Sequence, residues 1–283
     1  MSKCFSKNLI DFLSGIKNRT NEKILLNKIR YGLKNKEFKM HLQFLVDNKT
    51  KRIVSGEALS RWETSEGEVI MPGKYIGLME KSGEIIKFDY YMFEMVCDKL
   101  SEWADTDFKE INISCNFTRI TISEKDFISK IKEIADKYEF DRSKLIIEIT
   151  EDSIEKNLDI ARNNIIKMKE LGFRIALDDI GSGYTSLISL CEYPIDIVKI
   201  DREVLLLSEK ESGKKLLLGV ISLINNLNLK VVCEGVETEE QNDLVSESKC
   251  DYVQGWFYSK ALPLASAEIF YKEYMKNLKG EDK

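Results

Sequence analysis

The stretch Leu145–Asp179 reads LIIEITEDSIEKNLDIARNNIIKMKELGFRIALDD and holds a strand, a helix and a second strand in succession. Leu145–Ile149 is apolar and β-branched except at Glu148, the composition of a buried strand. Ile154, Leu158, Ala161, Ile165, Met168 and Leu171 then recur at helical spacing, and Gly172 supplies a stop. Arg174–Leu177 is apolar again and runs into Asp178-Asp179. Strand, long helix and strand make the crossover that joins neighbouring parallel strands.

The same unit recurs on both sides. Helix-like Phe88–Trp103 precedes the run Ile111–Ser114, and Lys125–Tyr138 precedes Leu145–Ile149. Downstream come strand Ile195–Ile200, helix Lys214–Leu227, strand Lys230–Cys233, helix Glu239–Ser248, strand Asp251–Val253 and a last helix Ala265–Leu278. Upstream, a helical pattern over Glu22–Lys34 leads to two strand-like runs, Phe38–Val46 and Ile53–Leu59. The turn-rich Asp47-Asn48-Lys49-Thr50 between them suits an antiparallel pair. Repeated units of this length predict an α/β fold, a (β/α)8 barrel of the TIM type, modified by an antiparallel first strand. The domain is expected over 23–283, after an N-terminal helical extension over 1–22.

Composition narrows the function. With 43% hydrophobic and 32% charged residues in 283, the chain can bury a large core and is expected to be a globular cytoplasmic protein. A net charge of −5 with no basic run argues against binding to nucleic acid polymers or membranes. The first 23 residues interleave Lys, Asp and Asn with apolar residues, unlike a signal peptide or a membrane span. Six cysteines (Cys4, Cys97, Cys115, Cys191, Cys233, Cys250) form no CxxC pair, and His41 is the single histidine, read as facing solvent or a local partner. Zinc chemistry and a Ser-His-Asp mechanism are therefore disfavoured.

The residues that close the apolar runs are polar in every case. VSGEALSRW gives Glu57, with Arg61 four residues on; EINIS gives Asn112 and Ser114; LIIEITE gives Glu148 and Glu151. RIALDD gives Asp178 and Asp179, IVKIDR gives Lys199, Asp201 and Arg202, KVVCEGVE gives Glu234 and Glu237, and DYVQGW gives Gln254. In a barrel these ends converge on the face that carries active sites. Such a set of carboxylates repels itself unless cations neutralise it. With oxygen donors only, Mg²⁺ or Mn²⁺ is expected, with Ca²⁺ as a competitor. Adjacent Asp178-Asp179 could serve two ions, an arrangement suited to in-line attack on a phosphodiester, while Arg61 could hold a phosphate.

These residues also carry a family resemblance. Glu57-Ala58-Leu59-x-Arg61, the Asn112-Ile113-Ser114 step, Glu148-Ile149-Thr150-Glu151, Asp178-Asp179-Ile180-Gly181-Ser182-Gly183-Tyr184, Lys199-Ile200-Asp201, Glu234-Gly235-Val236-Glu237-Thr238 and Gln254-Gly255 occur in the order found in EAL domains. From about Ile24 to Leu278 the chain resembles that family of bacterial cyclic di-GMP phosphodiesterases.

The resemblance implies hydrolysis of cyclic di-GMP to linear pGpG with two Mg²⁺ or Mn²⁺ ions, Ca²⁺ being inhibitory. It implies Glu57, Asn112, Glu148 and Asp178 as ligands of the first ion, with Asp179 and Glu234 serving the second. Lys199 would activate the attacking water, with Glu57 and Glu234 also catalytic. Gln43, Arg61, Asp201, Arg202, Glu237 and Gln254 would bind substrate. Glu151, Gly181, Ser182 and Gly183 would form a regulatory loop that, with the helix near Leu187–Cys191, mediates a homodimer. Phe44, Phe117, Ile180 and Trp256 depart from the usual pattern. The alternative is a catalytically silent cyclic di-GMP receptor acting through a protein partner.

Overall fold

A computed structural model describes residues 21–150, 158–181 and 189–281. Among the described residues ten strands are joined in one sheet: β1 Phe38–Asp47, β2 Ile53–Glu63, β3 Val69–Ile70, β4 Asn112–Phe117, β5 Leu145–Thr150, β6 Arg174–Ile180, β7 Ile197–Ile200, β8 Lys230–Cys233, β9 Tyr252–Gln254 and β10 Leu262–Pro263. From β2 through β4, β5, β6, β7 and β8 to β9 every pairing is parallel. β1 is antiparallel to β9 and also pairs with β2, which closes eight strands into a barrel. The expected TIM-like barrel with a reversed first strand is therefore the fold.

The described chain divides into two compact units. The smaller comprises residues 21–39 and 60–88. It contains a helix over 21–34, the β2–β3 hairpin and an aromatic cluster in which Phe38 stacks on Trp62 at 5.1 Å and meets Tyr75 edge-on at 5.2 Å. Glu37 is buried there because it accepts the Trp62 indole N–H at 2.9 Å. The hairpin was not foreseen, and β2 continues to Glu63, so Glu57 sits inside a strand rather than at its end.

The larger unit, residues 40–59 and 89–281, holds the barrel interior. Leu45, Ile146, Ala176, Ile197 and Val232 pack together there, with Tyr252 against them. Between the strands run helices including Ile85–Trp103, Phe127–Ala135, Leu158–Glu170, Glu211–Asn226, Glu239–Glu247 and Leu264–Glu281. His41 is 9% exposed on a strand edge that β10 covers, so of the two expected settings, solvent or a local partner, it does not take the solvent one. Cys97, Cys115, Cys233 and Cys250 are buried as small apolar side chains, and Cys191 is exposed. No described helix is long and apolar enough to cross a membrane.

Candidate functional site

Alternate residues of a strand share a face, so the barrel's core layer dictates what stands above it. Two residues beyond Ile146, Ala176, Ile197, Val232 and Tyr252 come Glu148, Asp178, Lys199, Glu234 and Gln254. On the reversed β1 the step runs the other way, from Leu45 to Gln43. The apolar floor and the polar layer are thus successive rungs of one ladder.

Lys199 stands at the centre, 1% exposed. Its Nζ lies 2.8 Å from Glu234 Oε1, 2.9 Å from Glu148 Oε2, 3.3 Å from Asp178 Oδ1 and 3.4 Å from Glu57 Oε2. Glu57 further accepts from Gln254 Nε2 at 2.7 Å and from Asn116 Nδ2 at 3.0 Å. Burial pulls the Lys199 ammonium down, but Asp178, Glu148, Glu234 and Glu57 together hold it well above the ordinary lysine value. Burial pushes Glu57 up, and Lys199, Gln254 and Asn116 overcome it, leaving that carboxyl below its usual range. For Glu148 and Asp178 burial wins and both are raised. Burial also carries Glu234 up to about 8, against the pull of Lys199, and Asp179 up to about 6.

Asp178, Asp179 and Glu234 each offer a carboxylate oxygen within 4.8 Å of the others. With Glu57 and Glu148 that makes five carboxyls against the single Lys199 ammonium, a surplus of four negative charges when all are ionised. The amide oxygen Oε1 of Gln254 is buried without a hydrogen-bond partner. A hard divalent cation fits this set: it takes oxygen donors, relieves the repulsion and gives an orphaned oxygen a partner.

Asn112, an expected ligand, donates Nδ2 to Val54 O at 2.9 Å and lines a small internal void of about 20 Å³ with Ser55, Ser114, Glu148 and Lys199. Asn116 is the β4 residue brought to Glu57, and it pairs with Glu148 across the sheet. Both asparagines have the same strand parity; only the register against β5 separates them.

The layer opens into a cavity of about 280 Å³ lined by Gln43, Glu57, Asp178, Lys199, Glu234 and Gln254, and at its rim by Arg202, Glu237 and Trp256. Gln43 is held through Nε2 on Ser259 O at 3.2 Å. Arg202 and Glu237, both expected at substrate, are brought together as an exposed ion pair at 2.8 Å. Asp201 is committed differently: its carboxylate caps the helix Arg202–Leu207 by accepting from Glu203 N at 2.6 Å. Arg61 lies on β2, four residues after Glu57, half-buried, with Nη1 donating to Ser60 O at 2.8 Å. Phe117 is buried among Tyr90, Phe93 and Phe127, and Phe44 is buried against Phe270. Gly181 directly follows β6, whereas Glu151, Ser182, Gly183 and the proposed 1–22 extension as far as residue 20 lie outside the described residues.

The EAL domain model matches residues 26–261. The signaling protein YkoW of Bacillus subtilis is 31% identical over 253 residues, covering 88% of this chain and 32% of that protein. The cyclic di-GMP phosphodiesterase NbdA of Pseudomonas aeruginosa is 27% identical, covering 96% of this chain and 35% of NbdA. The chain thus spans about a third of the length of these curated relatives. Among solved structures, the MucR phosphodiesterase of Pseudomonas aeruginosa in complex with c-di-GMP superposes with a TM-score of 0.81 at 27% identity, over 86% of this chain and 99% of that one. An EAL domain protein from Listeria monocytogenes does so at 0.74 and 28%, over 87% and 97%.

Proposed function

The chain belongs to the EAL domain family, and on that premise we propose that it hydrolyses one phosphodiester of cyclic di-GMP to linear pGpG at the Lys199-centred cluster. The observation that carries the reading is the convergence of four carboxylates on one buried ammonium beneath an open cavity. A structural core gains little from such an arrangement, since apolar residues of the same volume serve stability as well or better. Perturbed titratable groups gathered at a cavity mark a reactive site.

Glu57, Asn116, Glu148 and Asp178 would hold one Mg²⁺ or Mn²⁺, and Asp179 with Glu234 a second. When bound, such ions supply Lewis acidity towards the phosphoryl oxygens and make a nucleophile available at neutral pH. The residues do the rest. Lys199 keeps its proton, so it acts as a fixed positive charge that orients the attacking water and aligns Glu57, Glu148, Asp178 and Glu234. Water adds to phosphorus, the P–O3′ bond breaks, and the water's proton passes to a carboxylate, Glu234 being the most exposed of the four that meet Lys199. A proton returned to O3′ completes pGpG. Arg61 is assigned to the second phosphate, Gln43 and the Arg202–Glu237 pair to the nucleoside edges, and Asp201 to positioning Arg202 through its helix cap. We further assign residues 23–283 to this domain, and the segment after Asp179, with Gly181, Ser182 and Gly183 and with Glu151 as its anchor, to its regulation and to a homodimer contact.

The test is to incubate the purified chain with cyclic di-GMP and Mg²⁺ or Mn²⁺ and separate the nucleotides by chromatography, with Glu57→Ala alongside. The reading expects pGpG from the wild type and none from the variant. Intact cyclic di-GMP that remains bound would overturn hydrolysis in favour of a silent receptor.

A further inference from the structure

The cavity has an aromatic rim that the hydrolytic chemistry leaves unused. Trp62 and Trp103 are each 2% exposed, whereas Trp256, the third and last tryptophan of the chain, is 60% exposed where it lines the cavity over Lys199 and Glu234. Large apolar side chains left in water singly need no explanation, but this one is held out by a loop that is pinned throughout. A Cβ on Gly255 would come within 2.0 Å of Val236 O, so the backbone before the indole passes directly over that carbonyl. Phe257 N donates to the same Val236 O at 3.0 Å, and Tyr258 N and Ser259 N both donate to Gly255 O at 3.1 Å. The far end is tied to β1, where Ser259 Oγ accepts from Phe44 N at 3.1 Å and Ser259 O accepts from Gln43 Nε2 at 3.2 Å. Lys260 Nζ lies 5.0 Å from the Trp256 ring centroid, in cation–π range.

An indole fixed in position before any ligand arrives loses little freedom on binding one, and its π-face suits a flat heterocycle. We propose that Trp256 is the stacking platform for one guanine base of cyclic di-GMP, with Lys260 holding the ring and adding positive charge beside the ligand's phosphates. The inference rests on the hydrolytic reading above and adds a base-binding subsite to it. The contact sets affinity; the bond-breaking step is left to the carboxylate cluster.

Trp256 is the one exposed indole, so stacking should report itself as quenching of solvent-accessible tryptophan emission. The experiment titrates cyclic di-GMP into the protein with Ca²⁺ in place of Mg²⁺, with chromatography to verify that the ligand stays intact. Emission and calorimetry are followed for wild type, Trp256→Phe and Trp256→Ala. Stacking on one base predicts saturable quenching in the wild type with the calorimetric Kd. It also predicts a Kd raised about 5- to 150-fold in Trp256→Ala and largely restored in Trp256→Phe. With Mg²⁺, kcat at saturation should stay within about twofold while KM follows Kd. Wild-type Kd and KM in Trp256→Ala would overturn the subsite and leave hydrolysis standing. A wild type that neither binds nor cleaves cyclic di-GMP would overturn the hydrolytic reading and the subsite together.

Discussion

Stripping divalent ions from this protein should make its stability fall as pH rises, and the site says by how much. Glu234 is carried from 4.5 to about 8, chiefly by burial, with Asp178 and Glu57 adding to the rise. A carboxyl raised in the folded state favours folding while it is protonated. Its contribution is complete below the unfolded value near 4.5 and is lost as pH climbs through the folded value near 8. A shift of that size corresponds to on the order of 5 kcal/mol across the window. Half-buried Asp179, moved from 3.8 to about 6, acts in the same direction at lower pH. Urea unfolding in EDTA at pH 5, 6.5 and 8 measures the slope. Adding Mg²⁺ should raise stability most at pH 8, where the ion replaces the lost protons, by an amount set by its concentration over Kd. Glu234→Gln should flatten the EDTA profile and make the ion-free protein more stable than wild type at pH 8. A flat wild-type profile in EDTA, or an unchanged slope in Glu234→Gln, would refute the account of the cluster as an uncompensated surplus of charge.

Three further outcomes follow from the same geometry. Lys199→Met strands the carboxylates it touches and should destabilise the ion-free protein by about 3–5 kcal/mol, with partial rescue by Mg²⁺ and a lower kcat; unfolding equal to wild type in EDTA would count against it. Asn116→Ala should weaken metal affinity with a modest effect on unfolding, whereas Asn112→Ala should cost about 1–3 kcal/mol of stability and leave metal affinity near wild type; calorimetry with Mn²⁺ on both variants separates them. Gly235→Ala puts a Cβ 2.4 Å from Arg202 Cγ at a φ of +69°, so it should displace Arg202 from Glu237, raise KM and lower the melting temperature by several degrees.

The barrel was legible because burial on both faces writes parallel strands as continuous apolar runs, and their helices keep a clean period. Leu145–Ile149 and Arg174–Leu177 fall inside β5 and β6 for that reason. The hairpin Trp62↔Ile70 was not legible, because a two-residue strand carries no period to read. Glu57, Glu148, Asp178, Lys199 and Gln254 could be picked out because a charge or amide interrupts an apolar run at each. Asn112 and Asn116 interrupt the same run four residues apart, and choosing between them needs the Asn116↔Glu148 register, which no local pattern encodes. Asp201, expected at substrate, stands before Arg202-Glu203, and an Asp there is equally the start signal of a helix, which it caps in the fold.

The central claim is that the Lys199-centred carboxylates bind divalent ions that hydrolysis requires. The most direct test titrates Mn²⁺ into EDTA-treated protein while bound ion and pGpG formation are measured on the same samples, for wild type and Glu57→Ala. The account predicts that turnover in the wild type rises in step with tightly bound Mn²⁺, and that Glu57→Ala loses both the tight binding and the product while unfolding cooperatively. Product formed without bound ion, or Glu57→Ala binding and turning over as wild type does, would contradict it.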